Sequence, residues 1–158
     1  MFDTFRGLPV HSLVVHGVVV LVPLAALGLI AIAVRPVWRK HYATLVALTA
    51  TVALAMVPVA LASGNKLKAR LHAGGVVESQ IKHHQQMGQL VLPATAVMWV
   101  AAIAVLFVVR RRVTGRSATL VSALAVIAAL VALVQVARAG DAGSTAVWGC
   151  TLNLGACK

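Results

Sequence analysis

The chain has 158 residues, of which 61% are hydrophobic and 11% charged, with a formal net charge of +11. Its only acids, Asp3, Glu78 and Asp141, cannot give a domain of this size a charged surface, so an ordinary water-soluble fold is excluded. Nucleic acid is excluded as a partner too: the cations form no stripe interleaved with aromatics and stand between long apolar runs, where Lys and Arg set topology and meet anionic lipid headgroups.

The first apolar run, Ser12–Val34, carries no charged residue apart from His16 and ends in Arg35-Pro36. It is longer than the ~7–15-residue apolar core of a secretory signal, and no small-residue cleavage site follows, so it stays in the membrane. A short basic and aromatic connection, Arg35 to Tyr42, leads to the second run, Ala43–Ser63. Residues 64–87 then read as a longer polar loop with Lys66, Lys68, Arg70, His72, Glu78, Lys82, His83 and His84. The third run, Gly88–Val109, is followed by the strongly basic Arg110–Arg116, and the fourth, Ala118–Ala137, by a short tail over 138–158.

Each run is long enough to cross roughly 30 Å of hydrocarbon at about 1.5 Å per residue. Pro23, Pro58 and Pro93 lie inside the first three, where neighbouring helices can satisfy the freed carbonyls. Pairs such as Ala125/Ala129 and Ala128/Ala132 let backbones approach where lipid offers no hydrophobic drive for association. The expectation is an all-α membrane protein, a single antiparallel four-transmembrane-helix bundle in the lipid bilayer. Internal repeats are not evident.

The two short connections hold Arg35, Arg39, Lys40, Arg110, Arg111, Arg112 and Arg116, with Trp38 and Tyr42 as interfacial anchors. They are placed in the cytoplasm, which leaves both termini outside. On that side Cys150 and Cys157 can close as a disulfide; in a reducing cytosol they would stay free.

Polar groups converge at one end of the bundle. His11 and His16 open the first span, His72, His83 and His84 precede the third, and Gln135, Arg138 and Asp141 close the fourth. Starts of odd helices and ends of even helices share one mouth whichever way the bundle faces. His16 lies about one turn inside the hydrocarbon edge, where an ionisable group is costly and by default functional. The bland alternative is a neutral imidazole bonded to a backbone oxygen.

Two imidazoles from different helices of a four-helix bundle are a common way to hold haem b. His16 with His84 is the preferred pair, with His11 or His83 as substitutes; a metal ion on His16, His84 and Asp141 is a second reading. His11 and His16, about 140° apart around a helix, cannot both face one site squarely. No catalytic constellation is present, so any reaction would need a cofactor to carry it.

The segment from Gly7-Leu-Pro-Val-His11 through His16 to Pro23 resembles the opening signature of small bacterial membrane proteins grouped as domain-of-unknown-function family 2231, Leu-Pro-x-His-Pro-x-x-Val-His before an apolar run with proline. His84 with Gly88 is similar to the family's His-x-x-Leu-Gly element at a shifted spacing. Arg138-Ala-Gly140-Asp141-Ala-Gly143 through Trp148 resembles its closing Thr-Gly-His-Ser-Gly-Ala-x-x-Val-Trp, with Asp141 standing where the family pattern has histidine. The resemblance implies a protein of the bacterial plasma membrane. Some relatives carry an appended Rieske or cytochrome c domain, which implies electron transfer near the outer face. Three functions follow as alternatives: a haem-b or redox-linked subunit, using a quinone or an external partner; a non-catalytic accessory subunit of a larger respiratory or other membrane complex; and a small transporter or proton path through His16.

Overall fold

The computed structural model describes residues 4–5, 8–73 and 78–148. A two-residue antiparallel ladder, β1 (Thr4–Phe5) against β2 (Leu8–Pro9), precedes four long helices. These are α1 (Val10–Val34), α2 (Pro36–Ala73), α3 (Glu78–Arg110) and α4 (Arg116–Trp148). All four are long and apolar enough to span a membrane. Each packs on its sequence neighbours and α4 closes back onto α1, while the diagonal pair α1 and α3 scarcely touch. The expected all-α four-helix bundle is what forms.

Helices α2 and α4 outrun the apolar segments. The stretch read as a loop over 64–87 is helical to Ala73 and again from Glu78, and the stretch read as a tail from 138 stays helical to Trp148. Hydropathy marks where lipid ends; it does not mark where the hydrogen-bond ladder ends. Lys68 Nζ donates to Gln85 Oε1 (2.9 Å), and Gln85 Nε2 donates to Asn65 Oδ1 (3.3 Å), tying α2 to α3 at this end.

Small residues make up most of the interior faces of α2 and α4, with Leu29, Ile32 and Met98 the largest side chains buried among them, and many leucines face outward. On α4 the buried stripe is Ala125, Ala128, Ala129, Ala132 and Val136; on α2 it is Val46, Ala47, Ala50, Ala53, Val57 and Ala60. Leu24, Leu27, Leu45, Leu48, Leu124 and Ile127 are exposed. Lipid tails are as apolar as leucine, so nothing drives leucine inward, and close backbone approach decides which face packs.

The stripes also reveal an internal repeat. The shift that takes Val57 to Val136 takes Ala53 to Ala132, Ala50 to Ala129 and Val46 to Ala125, all buried. A second shift pairs Val18 with Val91, Val22 with Thr95, Ala25 with Met98, Leu29 with Ala102 and Ile32 with Val105, again all buried. The hairpins α1–α2 and α3–α4 therefore share a burial pattern at these positions, a likeness that the sequence reading, with no repeat evident, does not contain.

The turns at the basic end follow from local chemistry. Proline disfavours the α region for its predecessor, so Arg35 is extended (φ −115°, ψ 92°), ending α1, and Pro36 opens α2. Arg39 then reaches back, with Nε donating to Ile32 O (2.8 Å) and Nη2 to Ala33 O (2.6 Å). These carbonyls are among the four that a helix end leaves unpaired. Arg39→Ala is expected to cost about 2 kcal/mol in mixed-micelle unfolding, since bonds from a charged donor are worth about 1.5–3 kcal/mol. Arg39→Lys, which can serve one carbonyl at a time, should fall between; equal stability of all three proteins would refute the capping role.

At the other link, Val113 N donates to Val108 O (3.0 Å) and Arg112 N to Val109 O (3.2 Å), closing α3 with Arg112 left-handed at φ 50°. Gly115, at φ 74°, supplies the second reversal before α4.

Candidate functional site

The histidine end of the bundle is assembled from the starts of α1 and α3 and the ends of α2 and α4. His11 lies in the first turn of α1 and is half-buried. Its Nδ1 is 3.1 Å from Ala60 O and 3.2 Å from Ser63 Oγ, both on α2. Ser63 Oγ in turn donates to Ala60 O at 2.9 Å. His84, on α3, is also half-buried, and its Nδ1 is 3.1 Å from Ala139 O on α4. A carbonyl can only accept, so each Nδ1 carries a proton, and in a neutral ring Nε2 is then the nitrogen with the lone pair.

The two rings meet across the diagonal, with centroids 6.2 Å apart and planes inclined at 69°. Beneath each ring is a glycine one turn beyond the accepting carbonyl: Gly64 under His11 and Gly143 under His84. The shift that takes Val57 to Val136 takes Ala60 to Ala139 and Gly64 to Gly143, so the two half-sites share a carbonyl and a glycine, while Ser63, which bonds only His11, has Ala142 as its counterpart.

The remaining candidates separate from this pair. The ring of His16 is exposed on the bundle surface, with Nδ1 donating to Ser12 O in its own helix at 2.6 Å. The ring that faces His84 is therefore that of His11 and not that of His16, the preferred partner in the sequence reading. The two α1 histidines point apart, as their spacing requires, and it is His11 that turns inward. His83 and Asp141 are exposed, and Asp141 is on α4. Among the described residues no group of three or more His, Cys, Asp or Glu side chains gathers, so the proposed metal set of His16, His84 and Asp141 does not assemble. Cys150 and Cys157, read as a disulfide, lie outside the described residues, as does the side chain of His72.

Ser63, Gly64, Gly143 and the carbonyls of Ala60 and Ala139 were not singled out in the sequence. The signal that could have found them is the spacing Val-x-x-Ala-x-x-x-Gly, which occurs at Val57–Gly64 and again at Val136–Gly143.

Helix length, lipid-facing leucines and a polar mouth at one end define an integral membrane protein of four spanning helices. Within that class the chain belongs to the family described as Predicted membrane protein (DUF2231), whose model matches residues 7–155. No curated protein and no solved structure matches it.

Proposed function

We propose that this protein is a haem-b-binding membrane subunit that carries electrons, in which His11 and His84 would hold the haem. The observation that carries the reading is the pair of facing imidazoles, each donating Nδ1–H to a backbone carbonyl of the adjacent helix. Ligating histidines almost always donate their second nitrogen in this way, which fixes the tautomer and raises the basicity of the ligating nitrogen. The spacing fits as well. Two imidazole–metal bonds of about 2.0–2.1 Å plus the ring radii require centroids roughly 6 Å apart, against 6.2 Å here.

Haem b, when bound, supplies a one-electron couple. The chain contributes the rest. Ala60 and Ala139 hold the rings, Ser63 adds a second acceptor for His11, and the apolar helices around the mouth limit access of water. The cations at the opposite end favour placing that end in the cytoplasm, so electrons would be exchanged near the outer face of the bacterial plasma membrane. Purified protein is expected to show a Soret band and to yield haem b on extraction, at close to one per chain. Colourless protein that takes up no haemin on reconstitution would overturn the reading.

One observation favours a second role alongside or instead of the first. His16 exposes an imidazole on the surface that faces lipid, a costly position unless another membrane protein covers it. That supports docking into a larger membrane complex.

A further inference from the structure

We infer that the groove between α3 and α4 is a binding site for an isoprenoid quinone, with Gln135 at the ring and the apolar groove around the tail. The site uses neither His11 nor His84 and stands whether or not the protein carries haem.

The groove follows from residue size along two packed helices. Ala94, Ala101 and Ala104 on α3 leave it open, and its volume is about 620 Å3. It runs from Leu90 to Ala104 on α3 and from Val121 to Gln135 on α4, roughly 21 Å along each helix at about 1.5 Å per residue. The apolar spans are Gly88–Val109 and Ala118–Ala137, so the groove crosses the middle of both. One leaflet supplies only about 15 Å, half of the hydrocarbon core. A phospholipid acyl chain ends near that midplane, whereas a polyisoprenoid tail is long enough to follow the groove across it.

Of the residues that line the groove only Gln135 is polar, and it stands at the histidine end. Its Oε1 is buried and, among the described residues, has no hydrogen-bond partner. An amide in that state costs free energy until it is paired. A long apolar wall with one polar group to fix orientation is the usual make-up of a small-molecule site. The carboxamide suits both redox states of the ring. Nε2 donates to a quinone carbonyl, and Oε1, once the amide turns about its last bond, accepts from a quinol hydroxyl. The other buried unpaired atom, Thr95 Oγ1, belongs to a fully enclosed side chain that does not line the groove. Charge complementarity favours a neutral head as well. Arg138 and Asp141 stand further out on α4, both exposed and of opposite sign, so a phosphate gains little from the pair.

The test titrates full-length protein in detergent with a ubiquinone bearing a full-length isoprenoid tail, and with a short-tailed analogue of the same ring. Quinone co-eluting with the protein is read against its mole fraction in the micelle. The wild type is expected to saturate at about one quinone per chain. Gln135→Leu removes the amide but keeps an apolar side chain, and should weaken both quinones about tenfold. Ala101→Phe fills the groove away from the ring; it should weaken the long-tailed quinone alone. Leu48→Phe, exposed on α2 outside the groove, should match the wild type. Quinone that only partitions into the micelle without saturating overturns the inference, and that result needs no variant to fold. So does a Gln135→Leu protein, helical by circular dichroism, that binds like the wild type. A retained phospholipid that the long-tailed quinone cannot displace, or a dimer that Ala101→Phe converts to monomer, assigns the groove to another occupant and overturns it too. Haem-loaded protein that binds no quinone defeats this inference alone, and haem-free protein that saturates with quinone defeats only the haem reading.

Discussion

His11→Ala and His84→Ala are each expected to strip haem from the purified protein, whereas His16→Ala and His83→Ala leave the Soret band at wild-type intensity. The contrast follows from where the rings point. His11 and His84 face each other across the mouth, while His16 is turned outward onto a carbonyl of its own helix and His83 is exposed. Loss of a supporting partner typically costs about 10–100-fold in affinity, and removal of a nitrogen that would hold the haem should cost more. Ser63→Ala provides an internal scale. It removes one of the two acceptors near His11 Nδ1 and leaves Ala60 O in place, so haem retention should fall only a few-fold. Haem content per chain after size-exclusion chromatography reads all five variants. If His16→Ala is the variant that bleaches the protein and His11→Ala is not, the assignment of the inner pair is wrong.

The exchange of His16 for His11 shows what a single sequence can and cannot fix. Convergence of histidines at one mouth follows from helix count and direction, and was legible. The angle between His11 and His16 follows from helical geometry, and was legible too. The absolute rotation of α1 was not. It is set by which face allows the closest approach of α2 and α4, and in α1 nearly every position from Val14 to Val34 is apolar. With no polar face to mark the lipid-averse side, the phase emerges only when the volumes of Val18, Val22, Ala25 and Leu29 are packed against the alanines opposite.

The repeat was hidden for a related reason. Under the second shift helices α1 and α3 share only His11/His84, Val18/Val91, Ile30/Ile103 and Ala31/Ala104 between His11 and Val34. What they share is burial at the five pairs from Val18/Val91 to Ile32/Val105, and burial is a property of the packed state. The α2–α4 half of the repeat was readable in principle, because Ala50, Ala53, Val57, Ala60 and Gly64 recur as Ala129, Ala132, Val136, Ala139 and Gly143. The carbonyls and glycines that touch the two rings lay in that recurrence.

Packing by small residues has a consequence that runs against soluble-protein intuition. Ala129→Leu is expected to destabilise the bundle by about 1–3 kcal/mol, the usual cost of forcing extra methylenes into a packed interior, while Leu130→Ala, one residue along, changes stability by less than about 0.5 kcal/mol. Ala129 is fully buried and Leu130 is half exposed to what is lipid in the native setting. In water, deleting a leucine side chain forfeits transfer energy, but on a lipid-facing surface the chain passes from one apolar medium to another and little is lost. At position 129 the added isobutyl group must part α4 from its neighbours, and every small-residue contact along the stripe loosens together. Ala50→Leu, the equivalent change in the first hairpin, should cost a similar amount if the halves are equivalent. Unfolding in mixed detergent micelles, followed by circular dichroism, compares the three; a Leu130→Ala protein as unstable as Ala129→Leu would mean that the bundle is held by leucines after all.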